Sequence, residues 1–155
     1  MKRVFKVLAA MRSIAIIALV AVIWFSMVSC DDDDGGSGGG LTITGLTDYN
    51  GKYAIAMEDG DDDNGLFAAV KVNGSKVTGG KIASGSITLK VWKGDGKSNY
   101  TGSDTKSFDV LILSKETIDM ANFNPFTDAD KFGSVKNVKF TSGAGSGSFS
   151  EGFGF

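Results

Sequence analysis

Leu66-Phe67-Ala68-Ala69-Val70-Lys71-Val72-Asn73-Gly74-Ser75-Lys76-Val77 is the stretch whose reading decides the fold. Leu66, Ala68, Val70 and Val72 recur at every second residue, which is the period of a strand with one face turned to a core and not the 3.6 of a helix. The run ends at Asn73-Gly74, a dipeptide favoured in two-residue type I′ hairpin turns because both central residues need positive φ there. Val77 then opens the return strand. Upstream, Leu41 and Ile43 share one face with Thr42 and Thr44 opposite, and Tyr53, Ile55 and Met57 alternate with Ala54 and Ala56. Downstream come Ile82, Ile87, Leu89 and Val91, with Ser84-Gly85 as a turn or bulge and Trp92 on the face opposite Leu89 and Val91. Phe108 to Leu113 is apolar on both faces except at Asp109, the pattern of a central strand. Val138 and Phe140 resume a strand, and Phe149, Phe153 and Phe155 fall on one face of an extended end. Thr127-Asp128-Ala129-Asp130, after Pro125, reads as an N-cap with acids in a first helical turn. The sum is an all-β domain, a single small antiparallel sandwich or barrel of about seven to eight strands, and the pattern does not separate the two.

The chain has 155 residues, with 22 glycines, one proline, one cysteine and no histidine. That length leaves room for one compact domain. Scarce proline suits strands that must donate every backbone N–H, and abundant glycine suits tight turns and bulges. Without histidine, Ser-His-Asp and Cys-His nucleophiles and His-based zinc sites are excluded. A single cysteine allows no internal disulfide.

The N-terminus has a different logic. Lys2, Arg3, Lys6 and Arg12 precede a run from Ser13 to Val28 that is apolar apart from Ser13 and Ser26, and the run stops at Ser29-Cys30. A basic region, an apolar region and a small residue before the break make a secretory signal. The other reading, an uncleaved membrane helix, needs about 18 to 20 apolar residues, slightly more than are present. Met27-Val28-Ser29-Cys30 resembles the lipobox of bacterial lipoproteins, with Met27 where leucine is commoner. The resemblance implies that Cys30 receives a diacylglycerol and becomes the first residue of the mature protein. The expected organisation is residues 1–29 as signal peptide, 30–40 as lipidated cysteine and tether, and 41–155 as the all-β domain. Loss of the signal would remove both arginines and two lysines, leaving twelve lysines against 18 acids. A surface of that sign, without arginine, argues against nucleic acid as a partner.

Between anchor and domain, Asp31 to Asp34 repel one another and stay hydrated, and Gly35-Gly36-Ser37-Gly38-Gly39-Gly40 forms a flexible coil. The eleven residues 30 to 40 span roughly 18 Å as such a coil. The aspartates read either as a sorting signal, for inner-membrane retention or surface export depending on the lipoprotein group, or as a solubilising spacer. Tyr49-Asn50-Gly51-Lys52-Tyr53 and Tyr100-Thr101-Gly102-Ser103-Asp104-Thr105 are similar to strings in small all-β lipoproteins of spirochaetes, which implies a fold type and no activity.

Three groups of residues invite a chemical reading. Asp59, Asp61 and Asp63 have the alternating spacing of an EF-hand calcium loop, yet the sixth position is Asn64 where glycine is required and the twelfth is Val70 where a bidentate glutamate is required. They read as a weak calcium site of the millimolar extracellular kind or as a hydrated hairpin tip, and no other cofactor is expected. Ser103-Asp104-Thr105-Lys106 spells the S-x-x-K string of penicillin-recognising enzymes, without its companion strings and before a strand where that chemistry needs a helix. Trp92, flanked by Lys90 and Lys93, is the candidate ligand contact, either on the rim of an internal cavity or as part of the core. These readings lead to one functional expectation: a non-enzymatic lipoprotein of the cell envelope, held to a membrane by lipid at Cys30, that binds a small ligand or another envelope protein. The alternatives are a purely structural envelope protein and, last, a hydrolase.

Overall fold

The computed structural model describes residues 39–59, 65–94 and 96–152. Its strands are β1 (Gly40–Thr44), β2 (Tyr53–Glu58), β3 (Phe67–Ala69), β4 (Lys71–Asn73), β5 (Lys76–Thr78), β6 (Gly80–Lys81), β7 (Ile87–Trp92), β8 (Thr105–Leu113), β9 (Thr117–Asp119), β10 (Ala129–Lys139), β11 (Gly145–Ser148) and β12 (Ser150–Glu151), with a 3-10 turn at Thr47–Tyr49 and a short α-helix, α1 (Pro125–Asp128). The main sheet runs β11-β1-β7-β3-β2-β8-β10-β12, with β6 paired to β2, and β4-β5-β9 form a second, smaller sheet. The expected all-β class holds, and the architecture is a nearly closed barrel with a small sheet laid on its outer face.

Closure depends on one glycine- and serine-rich segment. Leu41 to Thr44 pair in parallel with Gly145 to Ser148, and two residues further on Ser150 and Glu151 pair antiparallel with Ser134 and Gly133 of β10. The segment therefore changes partner at Phe149, whose N–H bonds the Thr44 carbonyl at 2.8 Å. Glycine is required on its inner face. A Cβ at Gly147 would lie 2.3 Å from Val135 Cγ1, and one at Gly145 would lie 2.6 Å from Val138 Cγ1. Removing both side chains lets β10 and β11 approach closely enough to seal the core.

Two apolar layers result. Leu41, Ile43, Ala54, Ala56, Leu89, Val91, Phe108, Val110, Ile112, Val135, Val138 and Phe140 meet inside the barrel, each no more than 1% exposed. Ile55, Met57, Leu111 and Leu113 point outward and are covered by Val77 and Ile118 of the small sheet. This explains why β8 is apolar on both faces: one side faces the barrel interior and the other lies beneath a second layer. On β2 the alanines take the interior, because that side must also accommodate Phe108 and Phe140, and the larger Ile55 and Met57 fill the space between layers.

The barrel path has eight strands, as expected, and four short ones beside it, β6 against β2 and β4, β5 and β9 in the small sheet, bring the described residues to twelve. Several expectations need correction. Val70 does not continue the buried face of Leu66 and Ala68 but is 49% exposed. The chain leaves one sheet after Ala69 and enters the other at Lys71, so the period restarts there. At the hairpin only Gly74 has positive φ, 63°, and Asn73 is a strand residue paired with Lys76. The two-residue loop is thus Gly74-Ser75, with the single positive φ of a type II′ turn. Type I′ backbone occurs at Ser84-Gly85, with φ of 53° and 71°, and at Ser142-Gly143, with 49° and 81°. The helix N-cap is Asn124, not Thr127: its Oδ1 accepts from Phe126 N at 3.0 Å, and Pro125 takes the first helical position, where a missing N–H is harmless.

Candidate functional site

Strand register sets which side chains share an end of the barrel. Gly40 lies opposite Lys90, Phe67 opposite Trp92, Met57 opposite Phe67, Glu58 opposite Phe108 and Thr105 opposite Lys139. The start of β1 is therefore at the same end as Trp92, Glu58, Asp59, Lys106 and Lys136. The charged groups gathered at that end divide between the inside of the barrel mouth and its outer face.

Inside, Glu58 and Lys106 continue the inward alternation of Ala56 and Phe108. Lys106 Nζ is 2.9 Å from Glu58 Oε1, with the two side chains 28% and 12% exposed, and Glu58 Oε2 accepts from Leu66 N at 2.9 Å. The bond from Lys106 to Glu58, with Glu58's charge, holds Lys106 above the ordinary lysine range against the opposing effect of burial. Beside them Tyr100 donates to Asp104 Oδ2 at 3.1 Å and packs edge-on against Phe140, with ring centroids 5.2 Å apart. Burial, more than its bond to Asp104, pushes the Tyr100 phenol up. These contacts close the mouth over the apolar interior.

On the outer face, Asp59, Asp109 and Lys136 belong to β2's end, β8 and β10, three neighbours in the sheet. Lys136 Nζ donates to Asp59 Oδ2 at 2.6 Å, and the two side chains are 15% and 31% exposed. Asp109 sits on the middle strand, opposite Met57 on one side and Ser134 on the other. Burial, and then the charge of Asp59, push the Asp109 carboxyl from 3.8 to about 6, with Lys136 pulling the other way. Ser134 is 1% exposed and its hydroxyl has no hydrogen-bond partner.

The sequence candidates fare unequally. Asp59 is engaged by Lys136, whereas Asp61 and Asp63 lie outside the described residues, as do the signal segment, Cys30, the tether as far as residue 38, and Phe153 and Phe155. Among the described residues no three His, Cys, Asp or Glu side chains are grouped to hold a metal ion, and no helix is long and apolar enough to cross a membrane. Trp92 does not line the interior. It projects from the outer face of β7, with Lys90 Nζ 4.2 Å from its ring centroid. Its Nε1 and the Oδ1 of Asn99, its bridge partner, are both buried without hydrogen bonds. Ser103 has a structural role, its Oγ accepting from Ser142 N at 3.1 Å in the hairpin before β11. Sequence reasoning missed Lys136 as the partner of Asp59. The signal within reach was Asp109, the one charge in an otherwise apolar central strand.

Comparison with protein-family models, with characterised proteins and with solved structures finds no match to this chain.

Proposed function

We propose that this chain is a lipid-anchored cell-envelope protein whose barrel is displayed for interaction with another envelope macromolecule, neither catalysing a reaction nor enclosing a small ligand. The observation that carries this reading is the filled interior: Phe108, Phe140 and the aliphatic side chains around them occupy the space that a ligand-binding barrel leaves open. Trp92, the aromatic residue best suited to contact a ligand, stands on the outer face beside Lys90. The anchor rests on the lipobox-like Met27-Val28-Ser29-Cys30 and on the hydrated run that follows it. The partner is a protein, since the chain after the lipobox has no arginine and more acid than base.

Metabolic labelling with palmitate tests the anchor: the full chain should be labelled and sediment with membranes, and Cys30→Ser should lose both properties. Undiminished labelling of Cys30→Ser would end the anchor reading. A photo-crosslinker at Thr88, exposed on the outer face of β7, should capture a discrete protein. A small molecule copurifying in stoichiometric amount would overturn the interaction reading, and absence of any adduct would favour a purely structural envelope role.

A further inference from the structure

We propose that the Lys136 amine and the Asp59 carboxyl condense to an intramolecular amide, with Asp109 as the assisting acid, so that β2 and β10 are covalently tied across β8. The nucleophile and the carboxyl already touch, at 2.6 Å, and they sit 77 residues apart in the chain. The middle strand brings a third group of the required kind to the same face, a carboxyl coupled electrostatically to both partners. Raised to about 6, Asp109 exchanges readily between acid and carboxylate near neutrality.

The reaction balances without an external reagent. A proton passes along the 2.6 Å contact from the ammonium to the Asp59 carboxylate, leaving a neutral amine beside a neutral acid. The Nζ lone pair attacks Asp59 Cγ, and Asp109 in its acid form protonates the departing oxygen. One C–O bond breaks, one C–N bond forms, one water leaves, and Asp109 recovers its proton from the nitrogen. Nothing is oxidised or reduced.

Two other ion pairs show what sets this one apart. Lys52 and Asp130 are also 2.6 Å apart, but they are 42% and 33% exposed, where water solvates both charges. Glu58 is more enclosed, but its second oxygen is committed to Leu66 N. The expected product also suits the chain's composition. With one cysteine it can form no internal disulfide, and an amide closing so long a loop would constrain the unfolded chain as a disulfide does.

Peptide mapping of the purified full-length chain by tandem mass spectrometry is the test. The expected result is a branched species in which the peptide containing Asp59 is joined to the one containing Lys136, lighter by one water than their sum. Asp59 precedes Gly60, a dipeptide that can also lose water by cyclising to a succinimide; that product is linear and cleaved by hydroxylamine, whereas the amide is branched and resistant. Lys136→Arg keeps the cation and should give only linear peptides. Asp109→Asn, with its fold checked by circular dichroism, should slow accumulation of the branched peptide by about a hundredfold. Linear peptides at full mass in the wild-type chain, or dehydration confined to a hydroxylamine-sensitive linear peptide, would overturn the proposal. Branched peptide forming at the wild-type rate in Asp109→Asn would remove Asp109 from it.

Discussion

Replacing the Asp109 carboxylate with its neutral isostere should stabilise the fold at neutral pH and have little effect in acid. The comparison is made between Lys136→Arg and the double variant Lys136→Arg/Asp109→Asn, since arginine keeps the neighbouring cation and cannot form the amide. Folding raises the Asp109 pKa from 3.8 to about 6. At about 1.36 kcal/mol per unit, the charged form would cost the native state about 3 kcal/mol at most. The side chain is half-buried and partly screened by water, which reduces the expected cost to about 1–2 kcal/mol. The sign follows from linkage. A carboxyl whose folded pKa lies above its unfolded value binds its proton more tightly in the native state, so the penalty is absent below the unfolded value and fully developed above the folded one. Melting temperatures at pH 7.5 should therefore favour the double variant by about 3–8 °C, with the gap closing at pH 3.5. Other carboxyls titrate over the same range but do so in both proteins, and they cancel in the difference. Equal melting at pH 7.5, or a gap that persists undiminished at pH 3.5, would refute desolvation as the cause of the shift.

Glu58→Ala leaves the Lys106 ammonium enclosed at the barrel mouth and the Leu66 N–H without its acceptor, and should cost about 2–4 kcal/mol in urea unfolding. Two alanine substitutions separate backbone strain from collision: Gly51→Ala, at φ 86° with open space around it, should cost about 1–2 kcal/mol, while Gly143→Ala, at φ 81° with its new Cβ 2.3 Å from the Tyr100 carbonyl, should cost about 2 kcal/mol more by thermal melting. Phe140→Ala empties the space between Tyr100 and Phe108 and should cost about 3–5 kcal/mol by the same measurement. In hydrogen exchange, the amides of β11 and β12 should exchange faster than those of Ala54 to Met57, because the closing segment is short, rich in glycine and bears few side chains that pack.

Legibility from sequence followed how local the cause was. Period-two alternation located β1, β2 and β7, because a strand half-buried in a sheet writes its orientation into every second residue, and an unbroken apolar run located β8, which is covered on both faces. Asp109 was conspicuous as the one charge in that apolar run. The sequence could not indicate that Ala54 and Ala56 face the interior while Ile55 and Met57 face outward, because both layers are apolar and the choice depends on what Phe108 and Phe140 occupy across the barrel. The break at Val70 was equally hidden, since a strand that passes from one sheet to another keeps its composition and changes only its neighbours. Lys136 is one exposed-type lysine among many until β10 is laid beside β8, and nothing local announces a partner 77 residues away.

The closing segment explains why the barrel's interior is filled with side chains. Seven residues, Gly145 to Glu151, must complete hydrogen bonding to β1 on one side and β10 on the other, and they manage it only by switching partner halfway. A seam so short cannot hold a wide barrel together, because each additional strand's width would have to be spanned by pairs that do not exist. Glycines at positions 145 and 147 draw β10 inward until Val135 and Val138 fill the space. The small radius that makes closure possible is thus the one that fills the interior with side chains. Under the proposed interaction role, the surface available for recognition is the outer face, where Lys90 lies over the Trp92 ring.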